Sequence, residues 1–161
     1  MNVFDKITGE KHVVAESSRL KATTAGHIYD LEMIEDTDNG TIVAIGAHVE
    51  GQVFKAKAYA EGDKPYLVLT PALAYNGRKA QSDEKYFYNA EGEIARAYEL
   101  NVDDIYTLSA DAFSGEPAVG KFVDATYTAT GSAGSTGFVG EIIEEVNYTY
   151  GTSYRVIVRK I

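Results

Sequence analysis

The strongest constraint on this chain is a two-residue alternation of apolar and polar side chains, broken at short intervals by glycine, asparagine and aspartate. In HIYDLEMIE, Tyr29, Leu31 and Met33 alternate with Ile28, Asp30 and Glu32, which sends the two sets to opposite faces of a strand with one wet side. GQVFKAKAY repeats the pattern, with Phe54, Ala56 and Ala58 opposite Val53, Lys55 and Lys57. In KPYLVLTPALAY a continuous apolar run between Pro65 and Pro71 predicts a short buried strand rather than a helix. NGRKAQSDE after it reads as an exposed connection.

The turns follow from the same punctuation. Asn39-Gly40 predicts a hairpin between two such runs, because both central residues of a type I′ turn take positive φ. Further hairpin turns are expected at residues 89–92 (NAEG) and 150–153 (YGTS). The latter closes a long C-terminal hairpin carrying Ile142, Tyr148, Tyr154, Val156 and Val158. SADAFSGEPAVG has room for one helical turn, KFVDATYTAT resumes a strand, and GSAGSTG is a flexible loop. Twelve tyrosines and fifteen glycines suit pleated, half-buried surfaces joined by tight turns. The fold class expected is mainly β: a single small antiparallel β-barrel or sandwich-like domain over residues 27–161, without an internal repeat.

Residues 1–26 are polar and weakly periodic, and predict an extended N-terminal arm. Its apolar groups Val3, Phe4, Ile7 and Val13 are the candidate partner-binding residues.

One stretch resists assignment. In FYNAEGEIARAYEL, residues 94–100 are helix-prone by composition, and Ile94, Ala97 and Tyr98 fall at helical spacing. Flanking strand-like segments leave little length for a helix and no clear cap, so a strand is preferred and the helix stays open. As a strand it is expected to place Ile94, Tyr98 and Leu100 on one face, with Arg96 among them, and Ala95, Ala97 and Glu99 on the other. Arg96 would then need a carboxylate partner or an edge position.

Chemistry is harder to find. Cysteine is absent, so there is neither a disulfide framework nor a thiolate nucleophile. His12, His27 and His48 lie in separate segments without metal-ligand spacing. Asp36 and Asp38 imitate the start of an EF-hand loop, but the glycine comes one place early and Ala47 stands where the bidentate glutamate belongs. The Gly/Ser loop lacks the lysine of a phosphate cradle, and no G-x-S-x-G elbow occurs. Adjacent acids such as Asp103-Asp104 and Glu144-Glu145 would point to opposite sides of a strand and read as solvated. No catalytic, metal-binding or cofactor-binding residue is assigned, and the expectation is a protein that is not an enzyme.

The net charge of -9, from 24 acids against 15 Lys and Arg, and the lack of a basic tract argue against nucleic acid. Apolar runs far shorter than about 20 residues argue against a membrane span, and the first residues resemble neither a secretory nor a transit peptide.

The order YFYNAEGEIARAYELNVDDIYTLSADAF, then AVGKFV, a Gly/Ser loop and a closing GFVGEIIEE…YRVIVRKI hairpin, resembles the head-decoration (capsid cement) proteins of tailed bacteriophages that infect Gram-positive hosts. The resemblance spans residues 86–161. It implies a β-rich structural virion protein, made in the host cytoplasm, that binds the outer capsid surface and reinforces an HK97-type shell. Its partners would be the major capsid protein and neighbouring copies of itself, a trimer being one arrangement. The family offers no catalytic motif to carry over. A phage tail or head-fibre component and a carbohydrate-binding β-module are the alternatives.

Overall fold

The computed structural model describes residues 11–71, 86–134, 136–148 and 151–161. It is mainly β, as the alternation predicts. Five strands, β2 (Ile28–Glu32), β3 (Ile42–Glu50), β4 (Val53–Ala58), β5 (Tyr66–Val68) and β6 (Ile94–Glu99), close into a barrel in the order β2-β4-β3-β5-β6. Six more form an antiparallel sheet in the order β1-β7-β11-β10-β8-β9. They are β1 (Ala15–Arg19), β7 (Ile105–Ser109), β8 (Phe122–Val123), β9 (Ala129–Thr130), β10 (Val139–Tyr148) and β11 (Gly151–Lys160).

The barrel is not wholly antiparallel, because β2 runs parallel to β4 and antiparallel to β6. This overturns the Asn39-Gly40 hairpin. The turn joins β2 and β3, which never pair; β3 pairs with β4 and β5 instead. The chain after β2 crosses the barrel end to place β3 beyond β4, and the hairpin forms one strand later, at residues 51–52 between β3 and β4.

Residues 94–99 are a strand, but with the expected faces reversed. Ala95, Ala97 and Glu99 point inward, whereas Ile94 is 51% exposed and Arg96 is exposed, across from Asp30. A five-stranded bore is narrow, and the alanines of β4 and β6 leave space inside for Leu31, Met33, Val43, Tyr66 and Val68. Apolar bulk therefore does not mark the buried face of this strand. Tyr98, on the outer side, packs against the second core.

That second core binds barrel to sheet. Leu20, Ile42, Leu67 and Leu100 meet Tyr106, Leu108, Phe138, Ile142, Val156 and Val158 in one buried cluster. Each such side chain contributes about 1.5–3 kcal/mol on burial, so the two β-units are held as one body.

Other boundaries shift. The arm expected over residues 1–26 is part of this body from its eleventh residue onward. β1 lies in the sheet, and a short helix α1 (Lys21–Ala25), flanked by the buried Leu20 and closed by Gly26 in a left-handed conformation, packs with Ala22 inward. The buried pair Leu20 and Ala22 is what the weak periodicity of this region concealed. KFVDATYTAT divides into β8 and β9, because an Asp124 turn interrupts it. The NAEG turn forms, with Glu93 N–H donating to the Ala90 oxygen, yet the preceding residues bridge Thr37 through Asn89 rather than pairing with β6. The C-terminal hairpin is present, but Gly151, Thr152 and Ser153 already pair with Tyr148, Asn147 and Val146. Residues 149–150 lie outside the described residues, as does the NGRKAQSDE connection. The helical turn in SADAF is the 3-10 turn Ala110–Ala112.

Candidate functional site

The junction between barrel and sheet is built from residues far apart in sequence. Asn39 and Asn89 are both buried. The Asn39 amide donates to the Thr70 oxygen at 2.9 Å and accepts from Thr70 N–H at 3.0 Å and from the Asn89 amide at 3.1 Å. A buried amide needs partners, and this pair finds them in each other and in the main chain of Thr37 and Thr70. Beside it, His12 Nδ1 lies 2.5 Å from Asp38 Oδ1 and the ring stacks on Tyr88 with centroids 4.6 Å apart. Lys11 meets Asp111 at 3.4 Å. Lys11, His12, Asp38, Asn39 and Asp111 line an open groove of about 720 Å³ that also takes in Asp36, Tyr59 and Thr126.

These polar groups are engaged in holding chain to chain. Asp38 receives His12 and the Val13 N–H, and Asp36 accepts the Glu91 N–H at 2.9 Å. The three histidines are apart: His12 is at Asp38, His27 lies 3.2 Å from Glu99, and His48 contacts the Gly51 oxygen at 2.8 Å. Glu99 also binds Lys64 at 2.7 Å, and that hydrogen bond holds the Lys64 ammonium above the usual lysine range despite some desolvation. Asp104, expected to be solvated, is buried. It accepts the main-chain N–H of Lys21 at 3.0 Å and of Asn101 at 2.7 Å, anchoring the start of α1. Glu144 is paired with Arg155 across the C-terminal hairpin. Among the described residues no group of three or more His, Asp or Glu side chains is placed to hold a metal ion, and no helix is long and apolar enough to cross a membrane.

Of the residues expected to bind a partner, Val3, Phe4 and Ile7 lie outside the described residues. Val13 is half-buried against the barrel–sheet core, with its N–H on Asp38, and borders the open groove.

Among the described residues, what is left open is a strand edge. Val14 accepts from Ser109 N–H, and Glu16 stands opposite Thr107, so alternation along the ladder turns the N–H and C=O of Ala15 and Ser17 away from β7. None of these four groups meets a partner among the described residues. The far edge of the sheet is covered, since Ser114 bridges Thr128 and accepts the Ala129 N–H. Beyond Ile142 the free side of β10 is interrupted by a register shift and carries Glu144 and Glu145, which discourage pairing. Among the described residues the edge of β1 has no such guard, and it borders a second groove of about 410 Å³ also lined by Leu69, Thr70, Pro71 and Tyr98. An extended backbone could be received there through main-chain hydrogen bonds.

The sequence carries little sign of this edge. Ala15 and Ser17 are small, and their exposure is decided by β7, about ninety residues downstream. No family model matches the chain, and neither does any curated protein or solved structure.

Proposed function

We propose that this protein is a structural virion component that binds the outer surface of an assembled bacteriophage capsid and stabilises the shell. The observation that carries the reading is a mainly β body whose N-terminal segment, bearing Val3, Phe4 and Ile7, leads into a strand at the edge of the sheet. Such a body works by covering and linking surfaces, and its polar clusters serve its own packing. The resemblance of residues 86–161 to head-decoration proteins supports the same reading. In it the β-body sits on the shell, and the first ten residues extend to neighbouring subunits.

The test is to add the purified chain to undecorated capsids of the source phage and image the particles. Saturable density on the outer shell, with greater resistance of the particle to heat, is the expected result. Density confined to tails or fibres, or no binding, would overturn the reading. A chain lacking residues 1–10 should keep its β circular dichroism and lose occupancy.

A further inference from the structure

We infer that the open edge of β1 is the receiving site for the N-terminal segment of a second copy of this chain, which adds to it as an extra strand. The inference deepens the capsid-binding reading by naming a partner for the arm, but its test needs no capsid.

The outward N–H and C=O groups of Ala15 and Ser17 offer four main-chain hydrogen bonds, enough to seat a short strand. The groove alongside is walled by Leu69, Thr70, Pro71 and Tyr98, a mixed surface against which an extended backbone can lie. Residues 1–10 supply a partner of mixed character, because Val3, Asp5 and Ile7 share one side of an extended chain. Ten residues reach about 33 Å when extended, ample to leave one body and lie on another.

The occupant comes from another copy for a directional reason. Lys11 and His12 are held by Asp111 and Asp38 in the larger groove, and the Val13 N–H is bound to Asp38. Asn39 borders both grooves. A chain's own arm would have to reverse direction within the stretch held by Asp111 and Asp38 to reach its own edge. An arm from a neighbour meets no such obstacle. The exchange is head-to-tail, so it closes into a ring where the rotation permits and otherwise continues from copy to copy.

The absence of cysteine makes a direct test clean. One chain carries Ser17→Cys and another carries, in turn, Asn2→Cys, Asp5→Cys or Lys6→Cys, which samples both strand faces and several registers. After mixing and mild oxidation, at least one pair should give reducible heterodimers at tenfold or more the yield of a Thr24→Cys control on α1. No pair rising above that control overturns the inference. So does a doubly substituted Asp5→Cys, Ser17→Cys chain that closes only on itself and stays monomeric. As an independent reading, Ser17→Pro removes an outward N–H without touching the β1–β7 ladder. It should weaken self-association in sedimentation at least tenfold while the fold is kept, and unchanged association would overturn the inference. If Ser17→Pro fails to fold, the cysteine pairs still decide. Cross-linking without capsid binding would sink the virion reading alone, and capsid binding without cross-linking would sink this one alone.

Discussion

The hydroxyl of Tyr127 donates to the main-chain oxygen of Gly40 at 2.6 Å and receives the hydroxyl of Tyr106 at 3.0 Å. Two buried phenols thus tie the sheet to the barrel through a turn that the sequence alone presents as a simple hairpin. Tyr127 does this with its own backbone in the left-handed region, at φ 59, a conformation that surrounding hydrogen bonds must maintain.

Tyr127→Phe should therefore cost about 1–3 kcal/mol in urea unfolding, because it leaves the Gly40 oxygen buried without a donor. Tyr106→Phe should cost less, since Tyr127 keeps its bond to Gly40. Burial first, and for Tyr127 also the neighbouring Tyr106, pushes both phenols well above the ordinary tyrosine range. A folded-state pKa raised in this way contributes stability that is complete below about pH 10 and lost as pH rises beyond it. The last tyrosines to ionise should do so together with loss of near-ultraviolet circular dichroism. Full ionisation with the fold intact would contradict the buried chain.

Gly40 is required twice over. Its φ is +91, and an added Cβ would lie 2.4 Å from Leu108 Cδ2. Gly92 is also left-handed, at φ +82, but faces open space. Gly92→Ala should cost only the backbone term of about 1–2 kcal/mol, and Gly40→Ala a further 1–3 kcal/mol from overpacking. A double-mutant cycle with Leu108→Ala should recover part of that excess. Equal costs at the two glycines would show that the turn can move off the sheet.

Asp124 shapes the loop that presents Tyr127. Its Oδ1 accepts Thr126 N–H at 2.9 Å, Thr126 Oγ1 at 2.7 Å and Thr128 N–H at 3.1 Å. Partial burial pushes its carboxyl up, but these hydrogen bonds outweigh it and hold the carboxyl below the usual range. Because the folded-state value is depressed, the contribution is present above about pH 4 and is lost as pH falls through that lower value. Asp124→Ala should cost about 1 kcal/mol at neutral pH after allowance for solvent screening. The gap from wild type should close in acid, and a gap independent of pH would remove the carboxylate from the explanation.

Phe4→Ala tests the arm on the shell. Burying one phenylalanine contributes about 1.5–3 kcal/mol, so occupancy of undecorated capsids should need roughly tenfold to a hundredfold more protein. An unchanged binding curve would place the attachment in the β-body.

Period-two alternation determined most of the strands by itself. In β2 and β4 one face is wet and the other buried, so Leu31, Met33 and Ala56 declared their direction. The proline-bounded run at β5 declared its burial in the same way. Pairing was another matter, because it depends on which strand arrives beside which. The parallel contact of β2 with β4, the inward turn of Ala95 and Ala97, and the conversion of Asn39-Gly40 from hairpin into a dock against Leu108 and Tyr127 were decided by closure of the barrel against the sheet. Closure of a narrow bore selects small side chains inside, and a shared core selects contacts between residues that local patterning cannot connect. The same holds for the edge at Ala15 and Ser17: the chain carries the short strand in its sequence, but only the position of β7 leaves one side of it unpaired among the described residues.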